Sequence, residues 1–256
     1  MKSQFNAILA VALLSPMFSW AACEAISGPT TAALIELYTS EGCSSCPPAD
    51  QRLSQFPSKD YSLKEVVPIS LHVDYWDKLG WKEPFAQPQF GQRQSWLVHA
   101  NGHKVVVTPH FFVSGREIRD WRGRLGDELR RVTAEPARAS IRIHAESTGA
   151  GVISVAGSAT AASYPGRLGL FVVLTENKLA SSVSAGENRG VTLSHDHVVR
   201  RWIGPIALKS GHVEFKQNVT VHPAWNAAQL GIAGFVQDLE TGQVLQAVGA
   251  SQCVPS

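Results

Sequence analysis

Two cysteines, Cys43 and Cys46, are the residues of this chain best suited to chemistry, because only two residues separate them. They follow an apolar stretch, residues 33–40, whose pattern predicts a buried strand. Pro47 and Pro48 come next and are tolerated in the first turn of a helix, so a helix is predicted to begin here. The N-terminus of a helix favours a thiolate, which makes Cys43 the predicted nucleophile and Cys46 the thiol that resolves a mixed disulfide.

A single Cys-x-x-Cys motif has three interpretations: half of a zinc site, a structural disulfide or a redox-active pair. A structural zinc site needs two further ligands at similarly tight spacing, whereas the other cysteines, Cys23 and Cys253, lie near the ends of the chain. The four cysteines allow three pairings. The simplest division joins Cys43 to Cys46 and Cys23 to Cys253.

The first 21 residues have the pattern of a secretory signal peptide. Lys2 is followed by an apolar stretch, residues 5–18, and small residues precede a cleavage site after Ala21. Acylation of Cys23, as in a lipoprotein, stays open as an alternative. No other stretch is long and apolar enough to span a membrane. We therefore expect a periplasmic or secreted protein, in which disulfides persist.

Strand-like and helix-like stretches alternate before residue 136, and short strands follow it. Helices are predicted over residues 46–56 and 88–100, with a second buried strand over residues 66–74. The step Thr108-Pro109 precedes an apolar strand and a Ser-Gly turn, which predicts a hairpin. Beyond Glu135-Pro136 apolar and polar residues alternate in several short stretches, a pattern typical of a β-sandwich.

The order of strand, Cys-x-x-Cys, helix and a later Thr-Pro step before a hairpin resembles the thioredoxin fold. The resemblance implies that the Thr108-Pro109 peptide bond is cis and that Pro109 faces the dithiol. It also implies an acid in the first strand beneath the cysteines, which makes Glu36 a candidate to move protons to and from Cys46. The alternative is that Glu36 faces solvent or pairs with an arginine.

Three longer segments, residues 36–50, 71–77 and 186–190, resemble the DUF1223 family of exported bacterial proteins, whose first half is thioredoxin-like. The resemblance implies an α/β thioredoxin-like domain, which we place over residues 28–136. The alternating pattern predicts an all-β sandwich domain over residues 137–256. The family has no assigned function. The chain has Ser44-Ser45 where thioredoxins have Gly-Pro, and no tryptophan precedes Cys43, so the direction of electron flow stays open.

Five further residues are predicted to line a substrate site. Ser44 and Ser45 are candidates to donate hydrogen bonds to a sulfur anion, although serine at the start of a helix is often only a cap. Asp74 and Trp76 follow a strand whose end approaches the cysteines, and Thr108 precedes the predicted cis-proline. Strand-end polarity and core packing explain Asp74 and Trp76 equally well.

Histidines raise the question of a metal. His195 and His197 share one face of a predicted strand, but a third ligand is not obvious, so no metal site is predicted. A soft ion such as Cu(I), held by the two cysteines with His72 or His110, remains an alternative function. No motif for an organic cofactor is present, and none is predicted.

The pattern favours an exported thiol–disulfide oxidoreductase that acts through Cys43 and Cys46. Its predicted partners are exported proteins or peptides with thiols or disulfides. The net charge of +2 argues against a dedicated nucleic-acid binder. A Cu(I)-binding protein and an interaction module whose disulfide never turns over are the alternatives.

Overall fold

Strands dominate the computed structural model of the chain, which describes residues 22–162, 164–251 and 253. The predicted signal peptide lies outside the described residues. Within them the α-helices are α1 (Pro47–Leu53), α2 (Pro88–Ala100) and α3 (Trp121–Thr133). None of these helices is long and apolar enough to cross a membrane. The strands are β1 (Ala22–Ile26), β2 (Ala33–Thr39), β3 (Val66–His72), β4 (His110–Val113), β5 (Arg116–Ile118), β6 (Ser140–Gly149), β7 (Val152–Thr160), β8 (Leu168–Glu176), β9 (Leu179–Ser182), β10 (Thr192–His195), β11 (Val198–Ala207), β12 (His212–Thr220), β13 (Leu230–Asp238) and β14 (Val244–Ala250).

One large sheet runs through both halves of the chain. Its eight strands lie in the order β14-β13-β8-β11-β3-β2-β4-β5. A second sheet has the order β1-β6-β7-β12, and β9 and β10 form a two-stranded ribbon. The two halves of the large sheet meet where β11 pairs with β3 in parallel, at Val198 and Ser70.

The predicted fold class, an α/β thioredoxin-like domain followed by an all-β sandwich domain, is therefore wrong. That arrangement requires a separate sheet on each side of residue 136, whereas the large sheet takes four strands from each side. The protein is a strand-rich fold with few helices. Alternation along the sequence shows that strands exist, but it does not show which distant strands pair.

The two faces of the large sheet are covered by different layers. In β2 the side chains of Leu34 and Tyr38 pack towards α2, while Ile35 and Leu37 pack towards α1 and α3 on the opposite face. This division follows from the alternation of side chains along a strand. The smaller sheet covers the same face of the large sheet as α1 and α3. Its strands β6 and β7 pack against β8, β13 and β14 in a shared apolar core.

A disulfide joins Cys23 to Cys253, which confirms the predicted pairing of the chain ends. Cys23 lies in β1 of the smaller sheet, and Cys253 follows β14 of the large sheet. Both cysteines belong to the apolar core between the two sheets. The bond therefore ties the two layers together.

Candidate functional site around the Cys43–Cys46 disulfide

Cys43 and Cys46 form a disulfide at the start of α1. Cys46 is the residue that caps the helix, and Pro47 and Pro48 occupy its first turn as predicted. The exposed fraction is 1% for Cys43 and 0% for Cys46. Cys43, the predicted nucleophile, is therefore buried, and a reagent reaches its sulfur only after the surrounding chain moves.

The predicted substrate residues Ser45, Thr108 and Trp76 are gathered around Cys43. The Ser45 hydroxyl oxygen lies 3.3 Å from Cys43 Sγ, and the Thr108 carbonyl oxygen lies 3.7 Å from the same sulfur. Trp76 Nε1 donates a hydrogen bond to Thr108 Oγ1 at 2.8 Å. The Thr108-Pro109 peptide bond is cis, as the resemblance implied. These contacts place polar backbone and side-chain atoms beside the sulfur.

A loop from the second half of the chain, residues 183–191, covers the disulfide; we call it the covering loop. Glu187 Oε2 accepts hydrogen bonds from the Ser44 backbone N–H at 2.8 Å and the Ser44 hydroxyl at 2.7 Å. These two hydrogen bonds lower the pKa of Glu187. Asn188 Nδ2 donates to the carbonyl oxygens of Glu41 at 2.8 Å and Cys43 at 3.0 Å. Ser44 is thus occupied by Glu187 rather than by a cysteine sulfur.

Glu36 and Asp74 do not join the cysteines. Glu36 lies on the α2 face of β2, whereas α1 packs on the opposite face. Its carboxylate receives two hydrogen bonds from Arg93, at 2.7 and 3.0 Å, and a third from the Tyr38 hydroxyl. We therefore assign Glu36 a structural role, the arginine pairing that was its alternative. Asp74 lines a surface groove beside α2, together with Tyr75.

Five buried titratable residues form a second group next to α1, which we call the His–carboxylate cluster: Glu41, Asp50, His72, Glu83 and His195. His72 Nδ1 is hydrogen-bonded to Glu83 Oε1. His195 Nε2 donates to Glu41 Oε1 at 3.1 Å. Asp50 Oδ2 accepts from the Thr39 hydroxyl at 3.0 Å.

Charge pairing sets the protonation of this cluster. Burial lowers the pKa of His195, but Asp50 and Glu41 outweigh burial and raise that pKa to about 9. Burial raises the pKa of Glu41, but hydrogen bonds from His195, Ser181 and Trp81 outweigh it, so this pKa lies below its usual value. Near neutral pH the cluster therefore contains an ionised Glu41 beside a charged His195.

Residues 34–237 match the model of a family described as protein of unknown function (DUF1223). The chain belongs to the DUF1223 family. No curated protein has a sequence that matches it. The match spans strands from both halves of the large sheet.

Two solved structures share the fold of this DUF1223 chain. The protein AGR_C_4864 from Agrobacterium tumefaciens is 22% identical, with a TM-score of 0.62 over 88% of this chain and 96% of that one. HBP35 of Porphyromonas gingivalis is 16% identical, with a TM-score of 0.68 over 90% of this chain and 78% of that one. At these identities the likeness concerns the fold alone.

Sequence reasoning on this DUF1223 chain did not identify the His–carboxylate cluster. The sequence contains His72 and the segment His195-Asp196-His197, but nothing local shows that β3 and β10 meet. His197 is not part of the cluster, because its Nε2 donates to the Phe56 carbonyl oxygen at 2.7 Å. His110, the other candidate ligand for Cu(I), is hydrogen-bonded at both ring nitrogens, by Glu117 and Gln94.

We expect the covering loop to control how fast the disulfide of this DUF1223 protein is reduced. In Asn188→Ala two buried hydrogen bonds are lost, together about 2 kcal/mol, which raises the open population roughly thirtyfold. The rate of reduction by dithiothreitol under native conditions should rise accordingly. Arg189→Ala is the matched control, because that side chain is exposed on the same loop. Equal rates in the two variants would contradict a covering role for Asn188.

Proposed function

We propose that this protein is an exported thiol–disulfide oxidoreductase whose Cys43–Cys46 pair exchanges with cysteines of other exported proteins. The observation that carries the proposal is the disulfide between these two cysteines, which closes a small ring because their sequence separation is only 3. In the chain-entropy model so short a ring stabilises a fold by about 2 kcal/mol, against about 5 kcal/mol for a loop of over 200 residues. The Cys23–Cys253 bond already supplies the larger constraint, so a purely structural role explains the short ring poorly.

The exchange proceeds in two balanced steps. In the reduced protein the Cys43 thiolate attacks a substrate disulfide, forming a Cys43–substrate bond while the second substrate sulfur leaves as a thiolate. The Cys46 thiolate then attacks Cys43 Sγ, which forms the Cys43–Cys46 disulfide and releases the first substrate sulfur as a thiolate. The substrate gains two electrons and the protein loses two. The reverse sequence oxidises a substrate dithiol.

The surroundings of Cys43 favour its role as the attacking thiol. The Ser45 hydroxyl, 3.3 Å from Cys43 Sγ, is positioned to donate a hydrogen bond to a thiolate. Such charge-assisted hydrogen bonds stabilise the anion and lower a thiol pKa.

Export supports this chemistry. Two disulfides among the described residues fit an oxidising compartment, and the first 21 residues have the pattern of a signal peptide. We therefore propose a periplasmic or secreted location, where partner proteins also contain disulfides.

Trapping of mixed disulfides tests whether Cys43 is the attacking thiol. We expect reduced Cys46→Ser to accumulate mixed disulfides through Cys43 when it is mixed with a disulfide-containing protein or with oxidised glutathione. Cys43→Ser should accumulate none, because in the proposed mechanism Cys46 attacks only Cys43. Mass spectrometry of non-reduced peptides identifies the linked residue. Failure of Cys46→Ser to form any adduct, while its circular dichroism spectrum matches the wild type, would overturn the proposal and leave the short disulfide structural.

A further inference from the structure

Three possible metal ligands converge one turn beyond Cys46 in the structure. Asp50, His72 and His195 each place one ligand atom within 4.8 Å of the other two. Asp50 Oδ1 lies 3.9 Å from His195 Nδ1, which is too far for a hydrogen bond. His72 Nε2 and His195 Nδ1 are buried and have no hydrogen-bond partner among the described residues. Buried polar atoms normally have hydrogen-bond partners, so two neighbouring imidazole nitrogens that lack them need an explanation.

The other ring nitrogen of each of these two histidines already has a hydrogen-bond partner. His72 Nδ1 is hydrogen-bonded to Glu83, and His195 Nε2 to Glu41. Histidines that ligate a metal usually have the other ring nitrogen bound to a carboxylate or carbonyl oxygen, which orients the ring. Two such pairs, which share a cluster of ligand atoms with the Asp50 carboxylate, form an arrangement typical of a metal centre.

The composition of the cluster also favours a cation. Glu41, Asp50 and Glu83 are buried, and among the described residues only histidines form ion pairs with them. Three carboxyl groups therefore surround two imidazoles, and such an oxygen-rich, buried environment suits a divalent cation.

We propose that Asp50, His72 and His195 bind one divalent transition-metal ion of the zinc class, with a fourth position open to water. Two imidazole nitrogens and one carboxylate oxygen are a ligand set that zinc uses in open sites. Tetrahedral zinc places neighbouring ligand atoms about 3.4 Å apart, so small side-chain rotations must close the cluster around the ion. The ligands belong to α1, β3 and β10, so the ion ties the helix of the disulfide to the ribbon that carries the covering loop.

Metal titration of the oxidised protein tests the site independently of the proposed exchange activity. With both disulfides intact, the four cysteines offer no thiolate to the ion. We expect one Zn²⁺ per chain by calorimetry, and visible absorption bands of a low-symmetry site when Co²⁺ is added. The absence of a one-equivalent complex with either ion would overturn the proposal without affecting the exchange chemistry.

Variants locate the ion. Asp50→Asn, His72→Gln and His195→Gln should each weaken Zn²⁺ binding at least a hundredfold, whereas the matched control His197→Gln should leave it unchanged. Glu83→Gln keeps all three ligands and should weaken binding about tenfold to a hundredfold, because it alters the hydrogen bond that orients His72. This variant keeps the assignment testable if a ligand variant fails to fold. Unchanged Zn²⁺ affinity in folded His72→Gln and in Glu83→Gln would place the ion elsewhere and overturn the assignment.

Discussion

Arg93→Met should destabilise the protein by about 3–5 kcal/mol, because it leaves a buried carboxylate without its charged partner. Glu36 has no exposed surface, and Arg93 supplies two of the hydrogen bonds to its carboxylate. The guanidinium group also lies over the rings of Trp202, at 4.8 Å, and Phe235, at 5.2 Å. Urea unfolding measures this loss: the midpoint urea concentration should fall, while the dependence of the unfolding free energy on urea concentration should stay the same.

A double variant separates the cost of an unpaired charge from the value of the pair. Glu36→Gln combined with Arg93→Met removes both charges, so we expect it to recover most of the stability lost in Arg93→Met. Arg122→Met is a matched control, because Arg122 stacks on Trp121 at the surface and should change stability by less than about 1 kcal/mol. A loss in Arg93→Met no larger than in this control would contradict a stabilising role for the pair.

The same double variant tests the role of Glu36 in chemistry. If Glu36 only holds α2 against β2, the folded double variant keeps the pH dependence of thiol exchange seen in the wild type. If Glu36 instead moves protons for Cys46, that pH dependence shifts although the fold is restored. The geometry favours the first result, because Glu36 and α1 lie on opposite faces of β2.

Local signals in the sequence predicted the local parts of this site. The apolar stretch before Cys43 is β2, the two prolines begin α1, and the Ser-Gly turn joins the hairpin of β4 and β5. Each depends on residues within a few positions of each other, where backbone preferences act directly. The closing of the Cys43–Cys46 ring depends on the same short range.

Contacts between distant segments were not predictable in the same way. Three such contacts join segments from different halves of the chain. They are the pairing of β3 with β11, the hydrogen bond from Asn188 to the Cys43 carbonyl oxygen, and the contact of His72 with His195. No local pattern specifies such pairs, because a strand that is apolar on both faces accepts many neighbours. This is why the fold class was wrong although most of the elements around the cysteines were correct.

The disulfide between the chain ends gives the second large stability prediction. Cys23→Ala with Cys253→Ala should lower the free energy of unfolding by about 5 kcal/mol, because the bond closes a loop of sequence separation 230 and so restricts the unfolded chain. Alanine is the appropriate replacement, since both positions lie in the apolar core and serine would bury a hydroxyl group. The urea slope should also rise, because the open chain exposes more surface when it unfolds.

The Cys43–Cys46 pair provides the matched control for this effect. Cys43→Ala with Cys46→Ala removes a bond of sequence separation 3, for which the same model gives about 2 kcal/mol. The terminal bond should therefore cost more than twice as much to remove as the short ring when both double variants are unfolded in urea. Equal losses of unfolding free energy, or a larger loss in Cys43→Ala with Cys46→Ala, would show that the Cys43–Cys46 bond stabilises the fold at least as much as the terminal bond. That result would also remove the chief physical reason for assigning it to exchange chemistry.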